Sequence, residues 1–450
     1  MAMVLSQQGR FRQWLSRLGL ATREHIAWAL YDWANSAFAT TIMAAVLPIY
    51  YSTVAAADLP PNIASAYWGY TTAAALALIA FFSPILGAVA DYMGAKKRFL
   101  ALFVAVGALF SALLALVGQG DWLLASLIFI VANVAFAGAN IFYDALLPSI
   151  ASEEVIDRVS AAGYALGYLG GGLLLLLNVA WILQPSLFGI PDTTTATRLA
   201  FVSVGLWWAL FSVPLFRYVP EPTRRLAHDE PVRGNPIKLG WARLLRTARE
   251  ISKYRQLLLF LVAFWLYGDG IGTIIKMATI YGTEIGIGQS DLISALVLTQ
   301  FAGIPFTFAF GWLASRLGTK RAIAVGLLVY TLISIGGFFM EKAWHFWVLA
   351  LAVATVQGGT QALSRSLFSL MVPRSLASEF FGFFSVFAKF AGVLGPFLFG
   401  LIASLAGTSR LSILSLIVFF LGGLVVLAFV DVDEGHRVAL EVDAHYHPAA

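Results

Sequence analysis

The chain is a succession of apolar runs, each near the ~20 residues that a helix needs to cross about 30 Å of hydrocarbon. Twelve can be counted: Trp28–Tyr51, Tyr67–Ala90, Phe99–Gly118, Trp122–Leu147, a fifth containing GYALGYLGGG, Leu199–Arg217, Phe260–Thr283, Leu292–Ala314, a ninth ending at Met340, Trp344–Met371, Phe380–Leu405 and a twelfth ending at Val430. The runs are continuous and bounded by charge, not alternating, so each backbone must satisfy its own hydrogen bonds as a helix. The expected fold class is therefore an all-α polytopic membrane protein with twelve transmembrane helices in two pseudo-symmetric six-helix bundles.

Polar interruptions divide the chain further. Residues 1–25 carry Arg10, Arg12, Arg17 and Arg23, with Phe11, Trp14, Leu15 and Leu18 at helical spacing. That pattern predicts an amphipathic cytosolic lead-in, and a solvated basic tail fits equally well. Bundles over 26–217 and 256–430 are joined by a linker, 218–255, whose second part places Trp241, Leu244, Leu245, Ala248 and Ile251 on one helical face with Arg243, Arg246 and Arg249 between. It suits a helix resting on anionic headgroups, with a freely solvated linker as the alternative. The tail, 431–450, is acidic and expected to be disordered.

Composition narrows the class. The chain is 60% hydrophobic and only 12% charged, against about 25% charged in soluble domains. Of its 29 lysines and arginines, only Arg198, Lys342 and Arg410 fall in loops of one side. This bias puts both termini in the cytosol and accounts for the net charge of +5 without nucleic acid. Cysteine is absent, the one histidine in a span, His345, stands at its very edge, and there is no phosphate-binding loop, so neither an enzyme nor a cofactor is expected. His436, His445 and His447 match no metal-site spacing.

Charges inside the spans are the candidate chemistry. An Asp at the bilayer centre costs about 2.5–3.5 kcal/mol, so such residues face a bundle interior or an aqueous route. Six ionisable residues lie in spans: Asp32, Asp144, Asp269, Lys276, Arg365 and Lys389. Asp32 and Asp144 are expected to face Arg365 and Lys389 across a gate between the halves; a permanent charge network is the competing reading. Asp269, flanked by Gly268, Gly270 and Gly272, is expected on a weakened helix near the midplane. It is a candidate for proton coupling or amine recognition, or for pairing with Lys276. Tyr31, Asn35, Tyr143, Tyr267 and Gln361 are candidate polar groups of the substrate or proton pathway, or hydrogen-bonded packing residues. Gly163, Gly167 and Gly171 form a smooth face for close packing, either between halves or within one.

Two loops reveal an internal repeat. GAVADYMGAKKR carries Gly87, Asp91, Gly94, Lys96 and Lys97, and GWLASRLGTKR places Gly311, Gly318, Lys320 and Arg321 at an offset of 224 positions from Gly87, Gly94, Lys96 and Lys97. These loops resemble the signature of the major facilitator superfamily. YDWANSAFAT at 31–40 and the run at 358–396 resemble bacterial permeases related to the yeast vacuolar, autophagy-associated amino-acid effluxer. Ser315 stands where the resemblance expects an acid, and Gly268 where it expects Asn.

The resemblance implies a major facilitator fold with spans 1, 4, 7 and 10 lining the route, and Asp91 docking against the start of span 11. It also implies a small organic solute as cargo, such as an amino acid carried outward, with protons as coupling ion. A monomer in a bacterial inner membrane is expected. A passive facilitator or a non-transporting sensor would share these features.

Overall fold

The computed structural model describes residues 14–448 apart from 60, 228–229, 232–233, 250, 391–393, 396–397, 400 and 403–409. Among the described residues, 10 helices are long and apolar enough to cross a membrane. The first, α1, covers Arg23–Ala55. It is followed by α2 (Pro61–Met93), α3 (Lys96–Leu113), α4 (Trp122–Ile150), α5 (Ile156–Leu183) and α6 (Thr193–Tyr218). A helix outside the bundle, α7 (Pro236–Arg249), precedes α8 (Arg255–Glu284), α9 (Gln289–Leu317), α10 (Thr319–Phe338) and α11 (Ala343–Leu370). Last come α12 (Ala377–Phe390), α13 (Arg410–Ala428) and α14 (Val432–Ala444). Helices α2 and α12 occupy the second and eleventh expected spans.

Neighbour relations repeat between the two parts of the chain. In the first, α1 packs on α6, α3 on α4 and α6, and α2 on α4; in the second, α8 packs on α13, α10 on α11 and α13, and α9 on α11. The contacts between the parts obey the same exchange, since α2 lies against α12 and α5 against α9. Burial follows suit. One core gathers around Trp28, Phe129, Phe142 and Trp208, and another around Phe260, Tyr330, Leu367 and Phe420.

Two expectations about local structure are corrected. Helix α8 runs unbroken through Gly268, Gly270 and Gly272. A Cβ on Gly270 would lie 2.8 Å from the Phe420 ring, so this glycine serves close packing on α13 and does not unwind α8. Among the described residues, it is α1 that winds irregularly, into π turns over Phe38–Val46 and Tyr51–Ala55. There Thr40 donates to the carbonyls of Ser36 (3.0 Å) and Gly171 (3.2 Å), tying the altered winding to α5.

The tail is ordered through α14. Asp431 caps it by accepting from the Glu434 N–H at 3.0 Å. Asp443 accepts from the amides of Arg374 and Ser375 at 2.8 and 2.9 Å. Beyond α14, strand β2 (Tyr446–Pro448) pairs antiparallel with β1 (Arg225–Ala227) of the linker. Composition pointed to disorder here, but the caps and apolar contacts such as buried Ala439 outweigh it.

Candidate functional site

Polar contacts joining the two repeats gather at the end of the bundle that carries the two glycine–lysine loops. At their centre is Arg365 of α11, whose side chain is 5% exposed. Its Nη1 donates to Asp32 Oδ2 of α1 at 3.1 Å and to Asp144 Oδ1 of α4 at 3.2 Å. Nε donates to Ser160 Oγ at 3.0 Å, and Nη2 to the Ser160 carbonyl of α5 at 2.9 Å. Four of the five guanidinium N–H groups are thus engaged, all by the first repeat. The rings of Tyr164, Trp28 and Tyr143 stand 4.4, 4.8 and 5.6 Å from the guanidinium carbon. Aromatic faces add attraction for a cation withdrawn from water.

Asp32 is held independently of the arginine, whereas the Ser160 hydroxyl also donates to the Ala362 carbonyl of α11 at 2.7 Å. The Trp28 indole donates to the Tyr143 carbonyl at 3.0 Å and stacks on the Tyr143 ring at 4.4 Å. The Tyr143 hydroxyl donates to Asp32 at 2.9 Å. Gly163 makes room, because a Cβ there would meet Asp32 Oδ2 at 2.5 Å and Arg365 Nη2 at 3.0 Å. Farther along the same face, Gly167 and Gly171 meet Ser36 and Thr40 of α1, so these glycines pack α5 against its own repeat and not across the halves.

Two flanking contacts complete this end. In the first loop Asp91 Oδ2 accepts from the Glu379 amide in the first turn of α12 at 2.9 Å, while Oδ1 pairs with Lys96 at 3.0 Å. An anion among the free N–H groups of a helix start is favourably placed. Gly87 permits the approach, since a Cβ would come within 2.1 Å of the Ser378 carbonyl. Across the pseudo-twofold axis Gly311 abuts Ala161 near the start of α5. There Asp157 of α5 accepts from Thr319 at 2.5 Å and from Ser366.

The lysines show a one-residue shift from the sequence offset. Lys97 Nζ donates to the carbonyls of Phe216 and Val219 at the end of α6, and Lys320 Nζ to those of Ala428 and Val430 at the end of α13. Lys97, not Lys96, is therefore the structural counterpart of Lys320. Gly94 and Gly318 both take positive φ, 59° and 87°, at the turns. Arg321 is exposed.

The other candidates are dispersed. Asn35 donates to Asn140 at 2.6 Å, and Tyr31 is buried against the Tyr143 ring. Tyr267 and Ser364 share a hydrogen bond of 2.6 Å. Asp269 is 1% exposed, and its Oδ1 accepts from the Gly395 amide at 2.9 Å. Gln361 is half-buried on α11. The side chains of Lys276 and Lys389 lie outside the described residues. Sequence reasoning passed over Trp28, Ser160, Tyr164 and Asp157. Trp28 sits one helical turn before Asp32, a spacing that could have flagged it.

The family profile described as "Vacuole effluxer Atg22 like" matches residues 21–440. The chain belongs to this family. It is 41% identical over 420 residues to the MFS-type transporter YxiO of Bacillus subtilis, covering 93% of this chain and 97% of that protein. It is 25% identical to autophagy-related protein 22 of Yarrowia lipolytica, with 79% and 73% covered. Among solved structures it resembles the proton:xylose symporter XylE with a TM-score of 0.67 at 14% identity, covering 96% of this chain and 99% of that one. The E. coli fucose:proton symporter FucP gives 0.65 at 14% identity, with 91% and 98% covered. The fold is thus the major facilitator fold, and this Atg22-like protein is a multi-pass membrane transporter, not an enzyme. In this family setting, Arg365 is a buried cation shared between repeats. Removing one partner from such a cluster strands the others, typically at about 3–5 kcal/mol.

Proposed function

We propose that the protein is a secondary active transporter of a small organic solute, with amino acids as the cargo class, working by alternating access. The bundles over 26–217 and 256–430 rock about a central site, joined by the linker over 218–255. The observation that carries this reading is Arg365 on α11, bonded entirely to first-repeat acceptors. Such a bond can exist only while the basic ends meet and must be given up when they part. The positive-inside bias supports a cytosolic placement of that end and hence reading this conformation as closed to the cytosol; the proposed membrane is a bacterial inner membrane. Helix α7, with Ile237, Trp241 and Leu245 exposed along one stripe, lies at the anionic headgroups.

Protons are the proposed coupling ion, as the names of XylE and FucP give for those proteins. Asp269 is the proposed coupling group. Asp269→Asn keeps the Oδ1 that accepts from Gly395 while removing titration, so it separates coupling from packing. Purified protein in liposomes should accumulate a labelled amino acid on an imposed proton gradient. Asp269→Asn should equilibrate that solute without accumulating it. Undiminished accumulation by Asp269→Asn removes this aspartate from coupling, and flux indifferent to the gradient makes the protein a facilitator. No flux across an amino-acid panel overturns the amino-acid assignment.

A further inference from the structure

The groups around Arg365 form a receptor that belongs wholly to the first repeat. Trp28 and Asp32 come from α1, Tyr143 and Asp144 from α4, Ser160 and Tyr164 from α5. Trp28, Tyr143 and Asp32 hold one another through the Trp28–Tyr143 stack, the Trp28 indole bond and the Tyr143–Asp32 bond, while the Ser160 hydroxyl donates to the Ala362 carbonyl of α11 at 2.7 Å and is released with it. When α11 withdraws, two carboxylates and three aromatic faces remain around a space shaped for a planar cation. A cation between them is favoured there, because two neighbouring carboxylates repel each other and a counter-charge relieves that repulsion.

We propose that this cage is a cation subsite on the transport path, which Arg365 occupies as a tethered stand-in and which takes the ammonium or guanidinium group of the cargo when the basic end opens. The inference rests on the transporter reading and deepens it by naming the chemistry of the cargo. Organic cations with N–H donors fit, because the cage offers carboxylate and carbonyl acceptors in a fork together with ring faces. Arg365 and cargo then exclude each other. Cargo entering the cage holds that end open, and its departure lets Arg365 return and close it.

Guanidinium itself is the probe, with uncharged urea as its isostere. Arg365→Ala protein in lipid nanodiscs should show a melting temperature that rises and saturates with millimolar guanidinium and ignores equal urea. The response should vanish in Arg365→Ala combined with Asp32→Asn and Asp144→Asn. If Arg365→Ala ignores guanidinium, or is stabilised only by acidification, the cage does not bind organic cations and the inference is overturned. A second measurement covers failure of that variant to fold. The protein has no cysteine, so Ser366→Cys in otherwise unaltered protein introduces a single thiol beside Asp157. Guanidinium should raise its maleimide labelling severalfold over urea, and equal labelling overturns the inference. Liposome flux without guanidinium binding would sink the cage and leave the transporter; binding without flux of any solute would do the reverse.

Discussion

The two seams that flank Arg365 do the same job with the carboxylate on opposite sides. In one, the loop supplies the acid: Asp91 reaches the amide of Glu379 at the start of α12 and keeps Lys96 as a partner. In the other, the loop has Ser315, and the acid is Asp157 on α5, reaching Thr319 just beyond the loop's Gly318 and Ser366 on α11. Each seam pairs a loop glycine with the start of a helix of the other repeat. The two seams therefore share the backbone approach while the carboxylate lies on opposite sides of it. A missing loop acid does not mean a missing contact.

The comparison can be broken most strongly at Asp91. Asp91→Ala strands the ammonium of Lys96, a residue 5% exposed, and should cost about 3–5 kcal/mol, read as a large drop in melting temperature of the detergent-purified protein. Asp157→Ala removes the acceptor of two neutral hydroxyls, of which Ser366 keeps the Leu363 carbonyl at 3.1 Å, and a smaller loss of about 1–2 kcal/mol is expected in the same melt. Equal losses would mean that the Lys96 pair contributes nothing. Moving the acid back sharpens the comparison: Asp157→Ser with Ser315→Asp should recover about 1 kcal/mol relative to Asp157→Ser alone. No recovery would show that the loop in the second repeat cannot reach α5. The smallest effect concerns the lysines. Lys97→Met and Lys320→Met should each cost about 1 kcal/mol, and by similar amounts, since both donate to carbonyls at the end of a repeat's last helix.

Much of this was legible in residue order. Hydropathy placed the spans, and the paired loops disclosed the repeat. Asp32, Asp144 and Arg365 stood out because charge in lipid requires a partner. That Arg365 meets both acids, across 333 and 221 positions, depends on packing that no local pattern encodes. The aromatic cage was hidden for another reason. Trp28 and Tyr164 look like any apolar residue of a span until the guanidinium beside them is located. Asp157 escaped because it lies at a helix start, where an acid is ordinary. Glycines misled at α8, since the same residue that loosens a helix in isolation lets it pack closely against a neighbour.

The ribbon of β1 and β2 carries a mechanical consequence. Its first strand follows Arg224, whose Nε donates to the Tyr92 carbonyl at 2.6 Å at the foot of α2. Its second strand follows α14, which is moored to Arg374 and Ser375 of the other repeat. The segment after α14 is thereby stitched to the linker, like a leash fastened to both repeats. If the repeats rock apart as proposed, the stroke must unzip the stitch or drag α14 from its berth, so this ribbon would set the limit of travel.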